Sequence, residues 1–216
     1  MLLIFDCDGV LVDSEPLACQ VDADVLNDLG LPYTADDIAR QFVGKSMRDM
    51  IARIEADHAR ALPEDFAERI NRALFARFET DLKPIVGVRE AILSLPYPRC
   101  VASSSIPERI ALSLRVTGLS DLFNAIFSAT QVARGKPAPD LFLLAAERMG
   151  ARPQDCVVVE DSPAGVQAGI AAGMRVIGFT GGGHCGPDHA ERLRQAGAQV
   201  VIERMADLPA TVQALM

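Results

Sequence analysis

The spacing of apolar positions changes along the chain. A short apolar run at residues 2–5 has the length of a buried strand. In the segment that follows, apolar positions recur three and four residues apart, which predicts helices over 15–29, 46–60 and 64–79. Gly30 and Pro32 supply the stop signals that commonly follow a helix. The chain therefore begins with one strand and continues as a block of helices.

Beyond this block, short continuous apolar runs alternate with amphipathic segments. The predicted strands are 99–103, 125–128, 156–160, 175–179 and 199–202, and the predicted helices are 88–95, 106–116, 139–149, 163–172, 188–196 and 207–215. Such alternation is typical of a parallel sheet that helices cover on both faces. The predicted fold is α/β, with a Rossmann-like parallel core formed by residues 1–13 and 85–216 and a small helical cap domain inserted at 14–84.

Charge and composition exclude several classes of protein. The 216 residues carry a formal net charge of −8, which disfavours contact with nucleic-acid phosphates. No apolar run approaches the length of a membrane span, and Asp6 interrupts the apolar start where a secretory signal would continue. The five cysteines are scattered without a CxxC pair, as in cytoplasmic proteins with reduced thiols. We expect a cytoplasmic protein that binds neither nucleic acid nor membrane, and nothing in the sequence demands more than a monomer.

A histidine- and cysteine-containing loop is a candidate metal site. His184, Cys185 and His189 lie within the segment GGGHCGPDH. The sequence places no fourth ligand near these three residues. It therefore favours an ordinary glycine-rich loop over a zinc site.

Two acidic pairs follow predicted strands. Asp6 and Asp8 follow the first strand, and their spacing of two places both carboxylates on one side. Glu160 and Asp161 close a later strand. Each pair alone is compatible with an ordinary turn or helix start. Because the carboxyl ends of parallel strands meet at one edge of a sheet, we expect the four acids to converge and to require a cation such as Mg²⁺.

Groups suited to an anion follow two other predicted elements. Ser103, Ser104 and Ser105 stand between a strand and a helix, where hydroxyl and backbone N–H groups can bind an anion. Helix capping accounts for one of these serines but not for three. Lys136 lies in the stiff segment RGKPAP, before a predicted helix. This lysine is either a phosphate contact or a solvated loop residue.

Four short segments resemble the motifs of a known enzyme family. They read FDCDGVLVDSE at residues 5–15, VASSS at 101–105, GKPAPDLF at 135–142 and VVVEDSPAGVQAG at 157–169. In this order and spacing they are similar to the four motifs of the haloacid dehalogenase-like hydrolases. The helical segment between the first two motifs resembles the cap of the beta-phosphoglucomutase-like and phosphoglycolate phosphatase-like members.

The resemblance implies a mechanism. Asp6 would be the nucleophile that forms an aspartyl-phosphate, and Asp8 would act as general acid and then as general base. The metal would be Mg²⁺, held by Asp6, the backbone carbonyl of Asp8 and Asp161. Glu160 would either contact the ion or stand one layer behind it. Since these motif residues are intact, the sequence disfavours a non-catalytic phosphate-binding relative.

The resemblance also assigns residues to substrate binding. Ser103 and Lys136 would hold phosphate oxygens during catalysis, and Lys136 would also shield Asp6. Ser104 and Ser105 are further candidate substrate-binding residues.

In the cap, a separate group of residues would contact the substrate. These candidates are Gly44, Lys45 and Arg48, and the two cationic side chains could meet a second anionic group. Each of them is equally compatible with a solvated surface of the cap.

Two positions depart from the mutase members of the family. The stretch from Pro16 to Gln20 lacks the histidine that aligns the acid/base in mutases, and the asparagine that holds a second phosphate is replaced near Pro107. An acid at Asp8 is typical of phosphoryl transfer rather than dehalogenation. The sequence therefore predicts a Mg²⁺-dependent phosphatase of a sugar phosphate or sugar-acid phosphate. The alternative is a hexose-phosphate mutase of the beta-phosphoglucomutase type.

Overall fold

The computed structural model describes residues 1–42, 47–123 and 125–215, and within these ranges one parallel sheet organises the fold. The strands are β1 (Leu2–Phe5), β2 (Arg99–Ser103), β3 (Ile126–Ser128), β4 (Cys156–Glu160), β5 (Arg175–Phe179) and β6 (Val200–Ile202). They lie in the order β3-β2-β1-β4-β5-β6, and every pairing is parallel. The predicted α/β fold with a Rossmann-like parallel sheet is confirmed.

Helices connect the strands and form the inserted block. They are α1 (Glu15–Asp28), α2 (Ala35–Phe42), α3 (Met47–His58), α4 (Phe66–Asp81), α5 (Val88–Leu93), α6 (Pro107–Val116), α7 (Asp140–Arg148), α8 (Pro163–Ala171), α9 (His189–Ala196) and α10 (Leu208–Ala214). In the described part of the chain, no helix is both long and apolar enough to cross a bilayer.

The chain divides into two compact units. The first comprises Met1–Asp13 and Lys83–Met216, and the second comprises Ser14–Leu82. Lys83 and Pro84 thus group with the sheet rather than with the helical block, where the sequence had placed them. The cause is backbone pairing, since the Asp13 N–H donates to the Lys83 carbonyl and Ile85 donates to Leu11, each at 3.0 Å.

The core of the first unit explains why its strands are continuously apolar. One face of the sheet packs against α7, α8 and α9, so that the even-numbered side chains of β1 and β4 are buried there. The odd-numbered side chains of these two strands are buried as well. Burial on both faces removes the alternation of apolar and polar residues that a half-exposed strand would show.

The second unit has its own apolar core, to which α1, α2, α3 and α4 all contribute. Helix α2 was not predicted from the sequence. It has only eight residues, and it begins at a reciprocal cap in which Thr34 and Asp37 each accept a hydrogen bond from the other's backbone N–H. Ile38 and Phe42, four residues apart, form its buried stripe.

The sheet order places one crevice at the centre of the first unit. Strands β2 and β3 lie in succession on one side of β1, whereas β4, the next strand along the chain, lies on the other side of β1. Ligands of open α/β sheets bind at the carboxyl ends of the strands beside such a reversal. The residues that follow β1 and β4 are therefore the first place to look for chemistry.

Candidate active site

A lysine joins the acids that follow β1 and β4. The Lys136 Nζ donates to Asp6 Oδ1 and to Glu160 Oε1, each at 2.7 Å, and to the Ala102 carbonyl at 3.1 Å. Its side chain is only 5% exposed, and the ammonium lies 5.0 Å from the centre of the Phe142 ring. Both the donors of the ammonium and its charge are thus used within the site. The structure places Lys136 in contact with the predicted nucleophile, and not in solvent.

The charges in this cluster perturb one another. Burial raises the pKa of Asp6 well above its usual range, and Glu160 and Asp161 add to the shift, while Lys136 opposes it. Burial disfavours the charge on Lys136, but the Asp6 and Glu160 carboxylates outweigh it and raise the Lys136 pKa above its usual value. The lysine therefore stays cationic, and the Asp6 carboxylate beside it lies in an environment that disfavours its charge.

Glu160 is oriented by the start of α8. Its Oε2 accepts hydrogen bonds from the Ser162 backbone N–H at 2.8 Å and from the Ser162 hydroxyl at 2.9 Å. The Ser162 hydroxyl in turn accepts from the Gly165 N–H and so caps the helix. A Cβ at position 165 would overlap the Glu160 carboxylate. Gly165, the first glycine of the fourth motif, is thus required by close packing against Glu160.

Asp161 completes a cluster of carboxylates. One carboxylate oxygen from each of Asp6, Glu160 and Asp161 lies within 4.8 Å of the others, and all three residues are buried. Burial raises the pKa of Asp161, with a further increase from Glu160 and an opposing effect of His184. Asp161 Oδ2 lies 3.1 Å from the His184 Nε2. Three buried carboxylates beside one ammonium retain excess negative charge, so the donor set fits a hard divalent cation.

Asp8 lies outside this cluster and has different partners. The Ser105 hydroxyl donates to Asp8 Oδ2 at 2.6 Å, and the Arg109 Nη2 donates to Asp8 Oδ1 at 2.9 Å. The two carboxylates of the first motif therefore occupy distinct environments, one against a lysine and one against an arginine. Two donors fix the orientation of the Asp8 carboxylate, as a proton-transferring group requires.

Arg109 was not predicted from the sequence. It lies in the first turn of α6, where the helix dipole disfavours a cation. An arginine at the start of a helix therefore indicates a specific acidic partner. This unfavourable position is the signal in the sequence that could have identified Arg109 as a site residue. The structure supplies that partner as Asp8, about a hundred residues earlier in the chain.

The three predicted serines have different environments. Ser103 is buried at the end of β2, and its hydroxyl accepts a hydrogen bond from the Ser105 N–H at 3.1 Å. Ser104 is exposed, whereas Ser105 is half-buried against Asp8. The Ser128 hydroxyl, at the end of β3, donates to the Ser105 carbonyl at 2.7 Å. This hydrogen bond holds the segment that follows β2 against the end of β3. Ser105 thus contacts a predicted catalytic acid, whereas Ser104 is directed toward solvent.

The predicted substrate contacts of the helical unit are only partly described. Gly44 and Lys45 lie outside the described residues. Arg48 is an exposed residue of α3.

Comparison with known proteins identifies the family to which these motifs point. The model of the haloacid dehalogenase-like hydrolase family matches residues 3–179, which is most of the chain. A 6-phosphogluconate phosphatase of Escherichia coli (strain K12) is 31% identical over 86% of this chain and 85% of its own length. A phosphorylated carbohydrates phosphatase of Thermotoga maritima is 35% identical over 93% of each chain.

A solved structure shows the same fold over nearly the whole chain. It is that of a HAD family hydrolase from Deinococcus radiodurans, with bound phosphate and sodium. The two chains are 35% identical, with a TM-score of 0.85, and the match covers 99% of this chain and 95% of the other. This similarity extends over both compact units.

Proposed function

This chain belongs to the haloacid dehalogenase-like hydrolase family, and from that premise we propose that it is a Mg²⁺-dependent phosphatase that acts on a phosphorylated sugar or sugar acid by way of a phosphorylated Asp6. One observation carries the proposal. The Asp6 carboxylate lies buried against the Lys136 ammonium, and Asp8, two residues later, is held separately by Ser105 and Arg109. These are the surroundings that a nucleophile and a proton carrier require.

At the level of reaction class, the family and the named relatives agree. The family is one of hydrolases, and the two relatives described above are phosphatases. The chain is a hydrolase of phosphoric monoesters. The substrate, the metal and the catalytic steps given below are the finer proposal.

Asp6 attacks the phosphorus atom of the substrate, and the bond to the leaving oxygen breaks. An anionic carboxylate approaching an anionic phosphate is opposed by charge repulsion, which Lys136 reduces because its ammonium lies 2.7 Å from Asp6 Oδ1. In this proposal, a phosphate oxygen replaces one of the three oxygens that accept hydrogen bonds from this ammonium. Glu160 keeps the ammonium at this position by accepting a second hydrogen bond from it.

Asp8 moves the protons of both half-reactions. In the first, protonated Asp8 gives its proton to the leaving oxygen of the sugar. In the second, ionised Asp8 takes a proton from the water that attacks the phosphorus and releases Asp6. The two donors on its carboxylate, Ser105 and Arg109, orient it for both steps. Asp8 ends the cycle protonated, as it began, because the proton that it gives to the leaving oxygen is replaced by one from the attacking water.

Mg²⁺ fits the carboxylates that surround Asp6. Asp6 and Asp161 supply the oxygen ligands that this ion prefers, with the Asp8 carbonyl as a third protein ligand in the proposal. Both Glu160 oxygens already accept hydrogen bonds from Lys136 and Ser162, so in this proposal Glu160 does not contact the ion directly. When bound, Mg²⁺ supplies positive charge that orients the phosphate and offsets its repulsion from Asp6.

Metal removal tests the carboxylate site. Treatment with EDTA should abolish phosphate release, and added Mg²⁺ should restore it, whereas Ca²⁺ should not, because it takes more ligands in a looser geometry. Mg²⁺ at about a hundredfold excess over its Kd should also stabilise the fold by about 2.7 kcal/mol, since it binds only the folded chain.

The stabilisation is measured by thermal unfolding with and without Mg²⁺. Asp161→Asn should lose the shift in Tm, whereas Asp28→Asn, at an exposed position in α1, should keep it. Full activity of metal-free protein, or an unchanged shift in Asp161→Asn, would contradict the assignment.

The substrate class follows from the relatives and from the departures in sequence. The two relatives described above act, by their names, on 6-phosphogluconate and on phosphorylated carbohydrates. A mutase must keep its phosphorylated intermediate from water, and the chain has Ala18 in the stretch where mutases carry the aligning histidine. We therefore expect release of inorganic phosphate from sugar phosphates, with little conversion of beta-glucose 1-phosphate to glucose 6-phosphate in the presence of a bisphosphate primer. Faster formation of glucose 6-phosphate than of free phosphate would favour the mutase instead.

Arg48 tests the role of the helical unit. The resemblance assigns substrate selection to this unit, and Lys45 and Arg48 supply its candidate cations. Arg48→Ala should lower kcat/KM for a sugar-acid phosphate by about tenfold, the loss expected for one charge-assisted hydrogen bond, and should leave p-nitrophenyl phosphate hydrolysis nearly unchanged. The measurement is kcat/KM across a panel of phosphorylated metabolites. Arg72→Ala, at another exposed arginine of this unit, is the control that should show no change of preference.

A further inference from the structure

A second cluster of metal-ligating side chains lies beside the carboxylates. His184 and Cys185 belong to the loop between β5 and α9, and His189 is the first residue of α9. One ligand atom from each of the three lies within 4.8 Å of the others. The proposed phosphatase mechanism uses none of these residues.

The spacing of the donors is close to that of a tetrahedral site. The Cys185 Sγ lies 3.6 Å from the His184 Nε2. In a tetrahedral zinc site, with bonds of about 2.0–2.3 Å, neighbouring ligand atoms are about 3.3–3.7 Å apart. An ion could therefore be accommodated between sulfur and nitrogen with little movement of either.

Asp161, which is distant in the sequence, contacts both histidines of this cluster. Its Oδ2 lies 3.1 Å from the His184 Nε2. Its backbone carbonyl lies 2.6 Å from the His189 Nε2. Because a carbonyl only accepts, the His189 Nε2 carries the hydrogen and the Nδ1 carries the lone pair. A hydrogen bond from one ring nitrogen to a carbonyl is the arrangement that commonly fixes a histidine for metal binding through the other nitrogen.

His184 is seated in a space that two glycines leave open. Its side chain is 7% exposed, and its Nδ1 has no hydrogen-bond partner among the described residues. A Cβ at Gly9 or at Gly182 would come within 2.9 Å of the ring. The polar contacts of the ring are thus confined to its Nε2, which faces Asp161 and Cys185. Packing places this nitrogen at the cluster and holds it there.

Cys185 supplies the sulfur ligand of the cluster. It is half-buried, whereas the other four cysteines are buried. The thiolate is the species that binds metal ions, so metal binding here would release the thiol proton.

We propose that His184, Cys185 and His189, with Asp161 as the fourth ligand, form a site for a divalent ion of the zinc type. One thiolate, two imidazoles and one carboxylate are ligands that Zn²⁺ and its neighbours in the transition series accept readily, whereas Mg²⁺ prefers oxygen alone. The chain then carries two metal sites of different chemistry that meet at one residue.

Occupancy of this site affects the carboxylate cluster. Asp161 belongs to the carboxylate cluster and contacts His184, so a zinc-type ion that takes Asp161 as its fourth ligand withdraws this carboxylate from Asp6 and Glu160. Zn²⁺ therefore inhibits phosphate release, and Mg²⁺ relieves the inhibition by competing for Asp161. This consequence rests on the proposed function, whereas the binding site itself does not.

Titration with Co²⁺ tests the site by an optical signal. Co²⁺ replaces Zn²⁺ in tetrahedral sites, and a thiolate ligand gives it a charge-transfer absorption that an all-oxygen site lacks. Without added Mg²⁺, the folded chain should bind one Co²⁺ that shows this absorption and the strong visible bands of tetrahedral cobalt. Added Zn²⁺ should abolish both signals.

Matched cysteine variants locate the signal. Cys185→Ala should lose the charge-transfer absorption, and Cys19→Ala, which removes another thiol, should retain it. His189→Gln should weaken Co²⁺ binding at least tenfold, and circular dichroism checks that each variant is folded. The proposal is wrong if the wild-type chain gives no thiolate absorption, or if folded Cys185→Ala or His189→Gln binds Co²⁺ as the wild type does. A chain that gives the optical signal but releases no phosphate would refute the proposed function alone.

Discussion

Asp6→Asn is expected to remove nearly all phosphate release while the fold persists. Asparagine has the shape of aspartate and can still accept the hydrogen bond from Lys136, but its amide is not a nucleophile. Turnover should fall by about 10⁴-fold or more, since loss of a covalent nucleophile costs up to about 10⁶ in kcat in other enzymes. Because burial raises the pKa of Asp6, removal of its charge should leave Tm unchanged or raise it. The measurement is kcat for p-nitrophenyl phosphate at saturating Mg²⁺, together with Tm.

Asp28→Asn is the matched control for this substitution. It makes the same chemical change at an exposed position and should retain wild-type turnover. Activity of Asp6→Asn within a few fold of the wild type would refute the covalent mechanism. Loss of activity accompanied by unfolding would instead show that Asp6 is required for the fold, contrary to the expected Tm.

Lys136→Ala should lower both stability and activity. The substitution leaves the Asp6 and Glu160 carboxylates buried without their shared ammonium. Breaking a buried ion pair by removal of one partner commonly costs about 3–5 kcal/mol, and we expect about 3 kcal/mol here because Asp6 can take up a proton. Activity should fall by about 10²–10³-fold on every substrate, the usual effect of removing one donor that stabilises charge in the transition state. Denaturant unfolding and kcat/KM on several sugar phosphates measure the two effects.

Lys83→Ala is the control variant, since it removes a lysine side chain that lies outside the acidic cluster. Lys83 is exposed, and its substitution should change neither quantity appreciably. Mg²⁺ should stabilise Lys136→Ala more than it stabilises the wild type, since the carboxylates there lack their internal counter-charge. An unfolding free energy equal to that of the wild type, or a loss of activity confined to one substrate, would contradict the central position given to Lys136.

The meeting of acidic residues from different strands could be predicted from the sequence, because it depends only on which strands belong to the parallel sheet. Asp6 and Glu160 were expected to meet because parallel strands end at one edge. Strands β1 and β4 are indeed neighbours, and Phe5 pairs with Val159, the residue before Glu160. The rule requires only that both strands belong to the same sheet. It does not require any knowledge of side-chain conformation.

Contacts that depend on loop conformation could not be predicted in this way. The partners Asp8 and Arg109 lie 101 residues apart, and Asp161 and His184 are joined through a glycine-rich loop whose course the sequence pattern does not define. The sequence offered no fourth candidate ligand near His184, and the fold brings the Asp161 carboxylate to 3.1 Å from the His184 Nε2. Helix α2 escaped prediction because only two apolar side chains, Ile38 and Phe42, mark its buried face, and no alternation with strands indicated a helix there.

Trapping of the phosphorylated chain tests the central claim most directly. Asp8→Asn should slow the second half-reaction, because asparagine cannot take a proton from water, whereas p-nitrophenyl phosphate needs no acid to help its leaving group depart. Rapid acid quenching followed by borohydride reduction converts an aspartyl-phosphate to homoserine, which peptide mass spectrometry locates. We predict Mg²⁺-dependent homoserine at position 6 in Asp8→Asn, and little of it in the wild type at steady state. Phosphate release without any labelling of Asp6, or labelling of a different residue, would contradict the account.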